Sequence, residues 1–311
     1  MDVARSPVKR WTPRAPVSQP DRVPTPSLAT SSARTLTVRD LTACADLSED
    51  RGWPREEHKW GLLLAAGRGY GIDDPAGGLA AACVVTSYGP ADRPELAAIG
   101  MVLVAERHAR QGIGRHLMQQ VLAEIAPTPV TLHATPNGRP LYEQLGFKTV
   151  GRAEMVRGHV TPTTPESPVG TRAATAEDLA GVLRLDTEVF GCDRTHVLIR
   201  LPAFADQFRV AEEDGELIGY AAAWPNMDTQ VVGPLIARDT DTAKALIASL
   251  ARNTDRPLRT DIDVRHEELL QWLKSSPDMD AVAFNSVMAY GIPALPGDWT
   301  RRFAPLTVAA G

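Results

Sequence analysis

From Val104 to Arg115 the chain reads Val-Ala-Glu-Arg-His-Ala-Arg-Gln-Gly-Ile-Gly-Arg, with strand-like residues before it and an amphipathic run after it. Gly112 and Gly114 remove two side chains where a helix starts, so a ligand can approach the backbone closely. The first amides of a helix lack intrahelical acceptors, and the helix dipole favours negative charge beside them. That is chemistry for holding a phosphate or pyrophosphate, with Arg110 and Arg115 adding positive charge. Spacing excludes two alternatives: no G-x-x-x-x-G-K-[ST] is present, and Leu117 stands where G-x-G-x-x-G needs its third glycine. About 30 residues further on, Leu132–Phe147 reads Leu-His-Ala-Thr-Pro-Asn-Gly-Arg-Pro-Leu-Tyr-Glu-Gln-Leu-Gly-Phe, bringing an imidazole and a phenol near the loop in sequence.

The elements that position these groups follow from periodicity. Ile113, Leu117, Val121, Leu122 and Ile125 recur at helical spacing, which predicts a helix over Gly112–Ala126. Glu95–Val104 reads as the strand before the loop. After the helix come a strand (Pro129–Ala134), a helix (Pro136–Leu145) and a strand (Phe147–Met155). Upstream, a strand (Thr35–Val38) meets Asp40 as N-cap of a helix through Leu41–Leu47, followed by a helix at Arg55–Ala66 and a strand at Leu79–Ser87. The same opening returns at Val169–Ala173, with Thr175 as cap and Leu179, Val182 and Leu183 at helical spacing. An internal duplication of one α/β unit is the economical reading. It divides the chain into 35–160 and 169–311, joined by a 161–168 linker that holds Pro162, Pro165 and Pro168.

Composition bounds the classes. The 311 residues suit two domains with a core each. Residues 1–34 contain six prolines and six Lys/Arg against two Asp, with no apolar periodicity, and read as a disordered tail. The remainder carries a net charge of −9, which argues against nucleic-acid binding. No run of about 18 apolar residues is present, so no membrane helix is expected, and the start has no apolar stretch of a secretory signal. Cys44, Cys83 and Cys192 never form C-x-x-C, which fits a reducing cytoplasm and argues against a cysteine-held metal.

With the strand ending at Val104, the Gly112/Gly114 loop and the Leu141-Tyr142…Gly146-Phe147 signature, residues 35–160 resemble the GNAT superfamily of acyl-CoA-dependent N-acyltransferases. The later half resembles the C-terminal domain of YitH-like tandem GNAT proteins through Leu185-Asp186…Phe190-Gly191-Cys192-Asp193-Arg194, Val232-Gly233-Pro234-Leu235 and Met288-Ala289-Tyr290-Gly291. Trp53 after Gly52 also fits that subfamily. The resemblance implies two tandem folds, each a mixed, mostly antiparallel twisted sheet flanked by helices (α/β, α+β). It implies that the amides of Ala109, Arg110, Gln111, Gly112, Ile113, Gly114 and Arg115 hold a coenzyme A pyrophosphate. It further implies that Val102, Leu103 and Val104 pair with pantetheine, with Thr135 and Asn137 nearby, and that Tyr142 protonates the leaving thiolate. Departures are Ala109 where Arg or Gln is preferred, Arg110 where glycine is usual, Thr135 in place of asparagine, and Ala98 at the position of a family glutamate.

His133 and Glu95 are the candidates for general base, His133 for its titration range. Trp53 and His58, with Trp60, are candidates for an acceptor pocket, His108 reads as a surface residue, and Asp193–Arg194 as a structural pair. Setting Ile236 against Val104 gives a phosphate loop about three residues shorter in the second half, with Asp239 and Asp241 in place of glycine and Leu270 in place of Tyr142. That half is expected to be degenerate and non-catalytic. The expected reaction moves an acyl group, with acetyl as the leading case, from acyl-CoA to a small-molecule primary amine without a metal. Alternatives are a phosphopantetheine thioester on an acyl carrier protein, met by Arg107, Arg110, Arg115 and Arg139, and a non-catalytic acyl-CoA sensor.

Overall fold

The computed structural model describes residues 28–161 and 169–311. Most of the tail and the linker therefore lie outside the described residues. Residues 28–33 differ from a disordered tail: Leu28–Thr30 forms a short 3-10 turn, and the amide of Ala33 donates to Gln120 Oε1 at 2.8 Å.

The first half supplies β1 (Arg34–Leu36), α1 (Leu41–Asp50), α2 (Glu57–Ala66), β2 (Arg68–Asp73), β3 (Leu79–Tyr88), β4 (Leu96–Val104), α3 (Ile113–Ile125), β5 (Val130–Ala134), α4 (Arg139–Gln144) and β6 (Lys148–Gly158). The second supplies β7 (Gly170–Ala173), α5 (Leu179–Phe190), α6 (Thr195–Leu198), α7 (Leu201–Phe204), β8 (Gln207–Glu213), β9 (Glu216–Asn226), β10 (Thr229–Ala237), α8 (Thr240–Ala251), β11 (Leu258–Asp263), α9 (Glu267–Lys274), β12 (Asp280–Tyr290) and β13 (Arg302–Ala304). Strand β2 escapes the periodicity reading because Gly69 and Gly71 leave two of the three residues on one face without a side chain. Asp40 stands at the N-cap of α1 as expected, but its carboxylate turns back to the Thr37 amide at 2.8 Å, in a reciprocal cap that opens the 3-10 turn before the helix.

All strands join one sheet in the order β1-β2-β3-β4-β5-β12-β6-β11-β10-β9-β8-β7, with β13 added on β10. The halves do not each close their own sheet. β6 leaves the first half to pair antiparallel with β11, and β12 returns from the second to pair with β5. The two exchanged strands then pair with each other down the centre. Only β4–β5 and β10–β11 are parallel, and both pairs are short: Ala97–Val130 and Ala98–Thr131 in the first, Gln230–Leu258 to Val232–Thr260 in the second. Beyond them the strands diverge and open a gap in each half.

One face of the first half packs under α3 and α4 through Ile99, Leu117, Val121, Leu132 and Tyr142. The opposite face packs under α1 and α2 through Leu47, Trp60, Leu63, Met101 and Leu103, and this cluster also contains Ala309 and Ala310. Burying such side chains stabilises by about 1.5–3 kcal/mol each for the larger ones.

Candidate active site in the first half

The amphipathic run predicted from Gly112 folds as α3, and the loop before it is held at its base. Asp74, on the β2–β3 turn, accepts Arg107 Nε at 2.8 Å and lies 2.5 Å from His108 Nε2. His108 is thus an anchor rather than a plain surface residue. Arg110 adopts φ +60°, a left-handed conformation that favours glycine, and Gly112 at φ +83° caps the helix. No side chain caps α3, its first intrahelical bond is His116 N to Gly112 O, and nothing lies within 4 Å of where a Gly112 Cβ would stand. The amides of Ile113, Gly114 and Arg115 thus precede the first bond of the helix, with Gly114 packed close to Val104 and Leu141.

The gap between β4 and β5 runs from that helix end. The Ala105 amide donates to Ala80 O at 2.8 Å, so by strand alternation the amides of Val104 and Val102 face away from β3 and into the gap. Tyr142, from α4, lies beneath, buried at 8% exposure and edge-on to Phe147. Its hydroxyl has no hydrogen-bond partner among the described residues. Burial, with Cys83 beside it, holds the phenol well above its usual titration range, so it stays protonated. Thr135 accepts the Gly138 amide at the head of α4, and Asn137 is exposed beside it.

Other expected residues fall elsewhere. Glu95 is exposed at the opposite end of β4, in the β3–β4 turn where its amide donates to Tyr88 O at 2.8 Å, and takes no part in this site. His58 stacks on Phe204 of the second half at 4.2 Å and its Nε2 lies 2.7 Å from Phe204 O. Trp53 is 38% exposed after α1, and Trp60 is core, donating to Ser48 Oγ at 2.9 Å. Arg194 pairs with Asp186 at 2.7 Å, not with Asp193, which instead accepts the Thr195 amide. His133 does flank the gap, on the face of β5 away from Tyr142. Burial and then the positive charge of Arg302, opposed by a hydrogen bond with the Val308 main chain, leave it depressed to about 4, a weak base in the resting protein. Of the four loop-side arginines, Arg107 holds Asp74, Arg115 holds Gln144 and Arg139 holds Glu143; Arg110 is exposed and unpaired among the described residues.

The second half presents the same frame, closed. Gln230 N to Pro257 O repeats Ala97 N to Pro129 O, and Arg238 N to Ile218 O repeats Ala105 N to Ala80 O. Ala237, one residue beyond Ile236, therefore takes the place of Val104. Only Arg238 and Asp239 separate β10 from α8, against eight residues between β4 and α3, so the loop is shorter than the sequence comparison suggested. Asp239 caps α8, accepting the Thr242 amide at 2.8 Å, so this helix start is closed by its own carboxylate. β13 lies along β10, and the Ala237 amide donates to Arg301 O at 3.0 Å, which closes the gap. Leu270, buried, follows β11 at the interval at which Tyr142 follows β5.

Chain 305–311 then crosses both halves. A Cβ on Gly233 would meet Pro305 O at 2.2 Å, and one on the matching Gly100 would meet Ala309 O at 2.3 Å. No sequence signal marked this crossing; the paired glycines make sense only once it is seen. Among the described residues no group of three or more His, Cys, Asp or Glu is placed to hold a metal ion, and no helix is long and apolar enough to cross a membrane.

Acetyltransferase (GNAT) domain models match residues 85–164 and 182–304. The Uncharacterized N-acetyltransferase YitH of Bacillus subtilis is 30% identical over 222 residues, covering 70% of this chain and 77% of YitH. A solved structure from Pyrococcus horikoshii is 19% identical with a TM-score of 0.75, over 90% of this chain and 95% of that one. A tandem GNAT protein from the clavulanic acid biosynthesis pathway is 14% identical with a TM-score of 0.60, over 84% and 99% of the two chains. The chain belongs to the GNAT family: it is an N-acyltransferase of the YitH-like tandem type.

Proposed function

We propose that the first half of this tandem GNAT protein transfers an acyl group, acetyl in the simplest case, from acyl-CoA to the primary amine of a small molecule. The observation that carries this is the continuity of three features found together only there among the described residues: the uncapped α3 N-terminus, the open β4–β5 gap and the unpaired Tyr142 hydroxyl. The α3 amides and dipole suit a pyrophosphate. The Val102 and Val104 amides suit an extended pantetheine and a developing oxyanion. Tyr142, kept neutral by burial, supplies a proton to the departing thiolate. The second half has none of these openings and contributes structure instead.

Calorimetric titration with acetyl-CoA tests this, together with thiol release measured against a panel of amines. One equivalent bound per chain and amine-dependent thiol release are expected. Two equivalents, or none, overturn the reading, and binding without amine-dependent release favours a sensor. A carrier-protein donor has less support, because Arg107, Arg115 and Arg139 hold partners within the chain and only Arg110 is left to meet an acidic surface.

A further inference from the structure

The exchanged strand β12 outruns its neighbour in the first half. β5 pairs with it only along Ser286–Tyr290, with Ala134 opposite Ser286, whereas β6 follows it as far as Asp280. Beyond Ala134 the chain turns at Thr135–Gly138 into α4, so residues 280–285 of β12 are paired on one side only. On the other side alternate residues present a main-chain N–H and C=O that no strand answers among the described residues. This edge is reachable: Asp280 to Phe284 are all exposed, Val282 at 51% and Phe284 at 38%. Where the pairing with β5 stops stands Asn285, opposite Ala153 on the His133 face of the sheet. It is 6% exposed, and its side-chain amide has no hydrogen-bond partner among the described residues. A polar group buried in that way costs stability unless a ligand completes it.

Across the opening from this edge stands β4, whose Val102 and Val104 amides face the same space. The divergence of β4 from β5 beyond Ala98 opens one strand position, and the end of β5 vacates a second beside β12, each about 4.8 Å wide. Resting on the acyl-transfer reading above, pantetheine takes the first position. We infer that the second receives the acceptor as an added strand, so that the acceptor is a short peptide acylated on its N-terminal amine. Direction selects that end. A peptide with its amino group over Ala134, rising N to C, continues the line of β5 and runs antiparallel to β12 as β5 does. Ladder bonds to residues 281–285 supply affinity whatever the peptide's side chains, and Asn285 meets the first residue beside its amine. The free edge is six residues long, so an acceptor of about four residues fills it. The N-terminal nitrogen forms the new C–N bond as the C–S bond breaks. The thiolate takes the Tyr142 proton, and the proton lost by the nitrogen restores the phenol by way of solvent. The strand that the second half lends would thereby select the substrate of the first.

The test uses the full chain, acetyl-CoA and a series of acceptors: L-alaninamide, tetra-L-alaninamide, and the tetrapeptide amide with one backbone N-methyl group at its second, third or fourth residue. The tetrapeptide is expected to exceed alaninamide by about 10-fold or more in kcat/KM, through the acceptor KM, because it adds ladder bonds. N-methylation is expected to remove that gain at alternate residues only, since every second amide of an added strand faces β12. Asn285→Ala is expected to raise the KM of both unmethylated acceptors and to leave the acetyl-CoA KM unchanged. Because a substitution in a central strand can unfold the chain, the wild-type peptide series decides the matter by itself. Equal use of alaninamide and the tetrapeptide, or N-methyl sensitivity without alternation, overturns the added strand and leaves acyl transfer standing. Failure to bind acetyl-CoA overturns the reading beneath it.

Discussion

The two halves share strand order, one parallel pair each and the same glycine at the divergence, Gly100 and Gly233, yet one gap is open and the other closed. Three local changes account for this. Eight residues connect β4 to α3 and two connect β10 to α8, an aspartate caps α8 where α3 is uncapped, and β13 pairs with β10 where β4 has no such partner. The comparison teaches that a duplicated scaffold can close one of its two gaps from within without losing the fold. The filled copy still serves the open one, because the segment that closes its gap continues across Gly100 and past His133.

The sharpest way to break this comparison is to give Tyr142 the inertness of Leu270. Tyr142→Phe is expected to lower kcat by roughly 100-fold, within the range for a lost general acid, with acetyl-CoA affinity unchanged in calorimetry. An unchanged kcat would remove Tyr142 as proton donor. Next comes the crossing segment. Gly233→Ala places a methyl against Pro305 O and Gly100→Ala places one against Ala309 O, so each is expected to destabilise the fold by about 2–3 kcal/mol in urea unfolding. Wild-type stability in both variants would mean that 305–311 gives way freely and is no fixed wall.

Gly112→Asp copies the second half's capping aspartate into the first. A carboxylate at the α3 N-terminus is expected to weaken acetyl-CoA binding about 30-fold by taking the amides and repelling phosphate. The reverse change, Asp239→Gly, is expected to create no second site, because β13 still closes that gap; a second bound equivalent would contradict the comparison.

The smallest effect is acid sensitivity. His133 is lowered from 6.5 to about 4, chiefly by burial, and His196 and His266 are lowered for the same leading reason. The unfolded chain binds these protons first, so stability falls as pH drops below 6.5 toward 4. His133 contributes about 1–2 kcal/mol of that loss by pH 5. His133→Asn should flatten the profile in thermal melts at pH 7 and pH 5; an unaltered slope would show that His133 is not the group responsible.

Much of this was legible in order along the chain. The α3 periodicity, the glycine loop and the Tyr142 signature are local, and local patterning sets helix starts and anion cradles. The duplication was legible because the strand, cap and helix of Thr35–Leu47 return at Val169–Leu183. His133, Glu95 and His58 were harder. Residue type gives a titration range, but which face a strand presents, what charge lies across it and which end of the sheet it occupies depend on distant partners. For His133 those partners are Arg302 and Val308, both far along the chain. Glu95 is only nine residues from Val104, but a strand of that length carries it to the opposite end of the sheet.

Sequence alone determined that the chain folds one unit twice, that the first copy has a glycine-opened helix start, and that the second has aspartates there instead. Only the tertiary structure decided that β6 and β12 change places, that β13 fills the second gap, and that Arg302 reaches the cavity beside His133. The reason is range: helix starts and turns arise from residues a few positions apart, whereas strand pairing and burial join residues separated by a hundred or more.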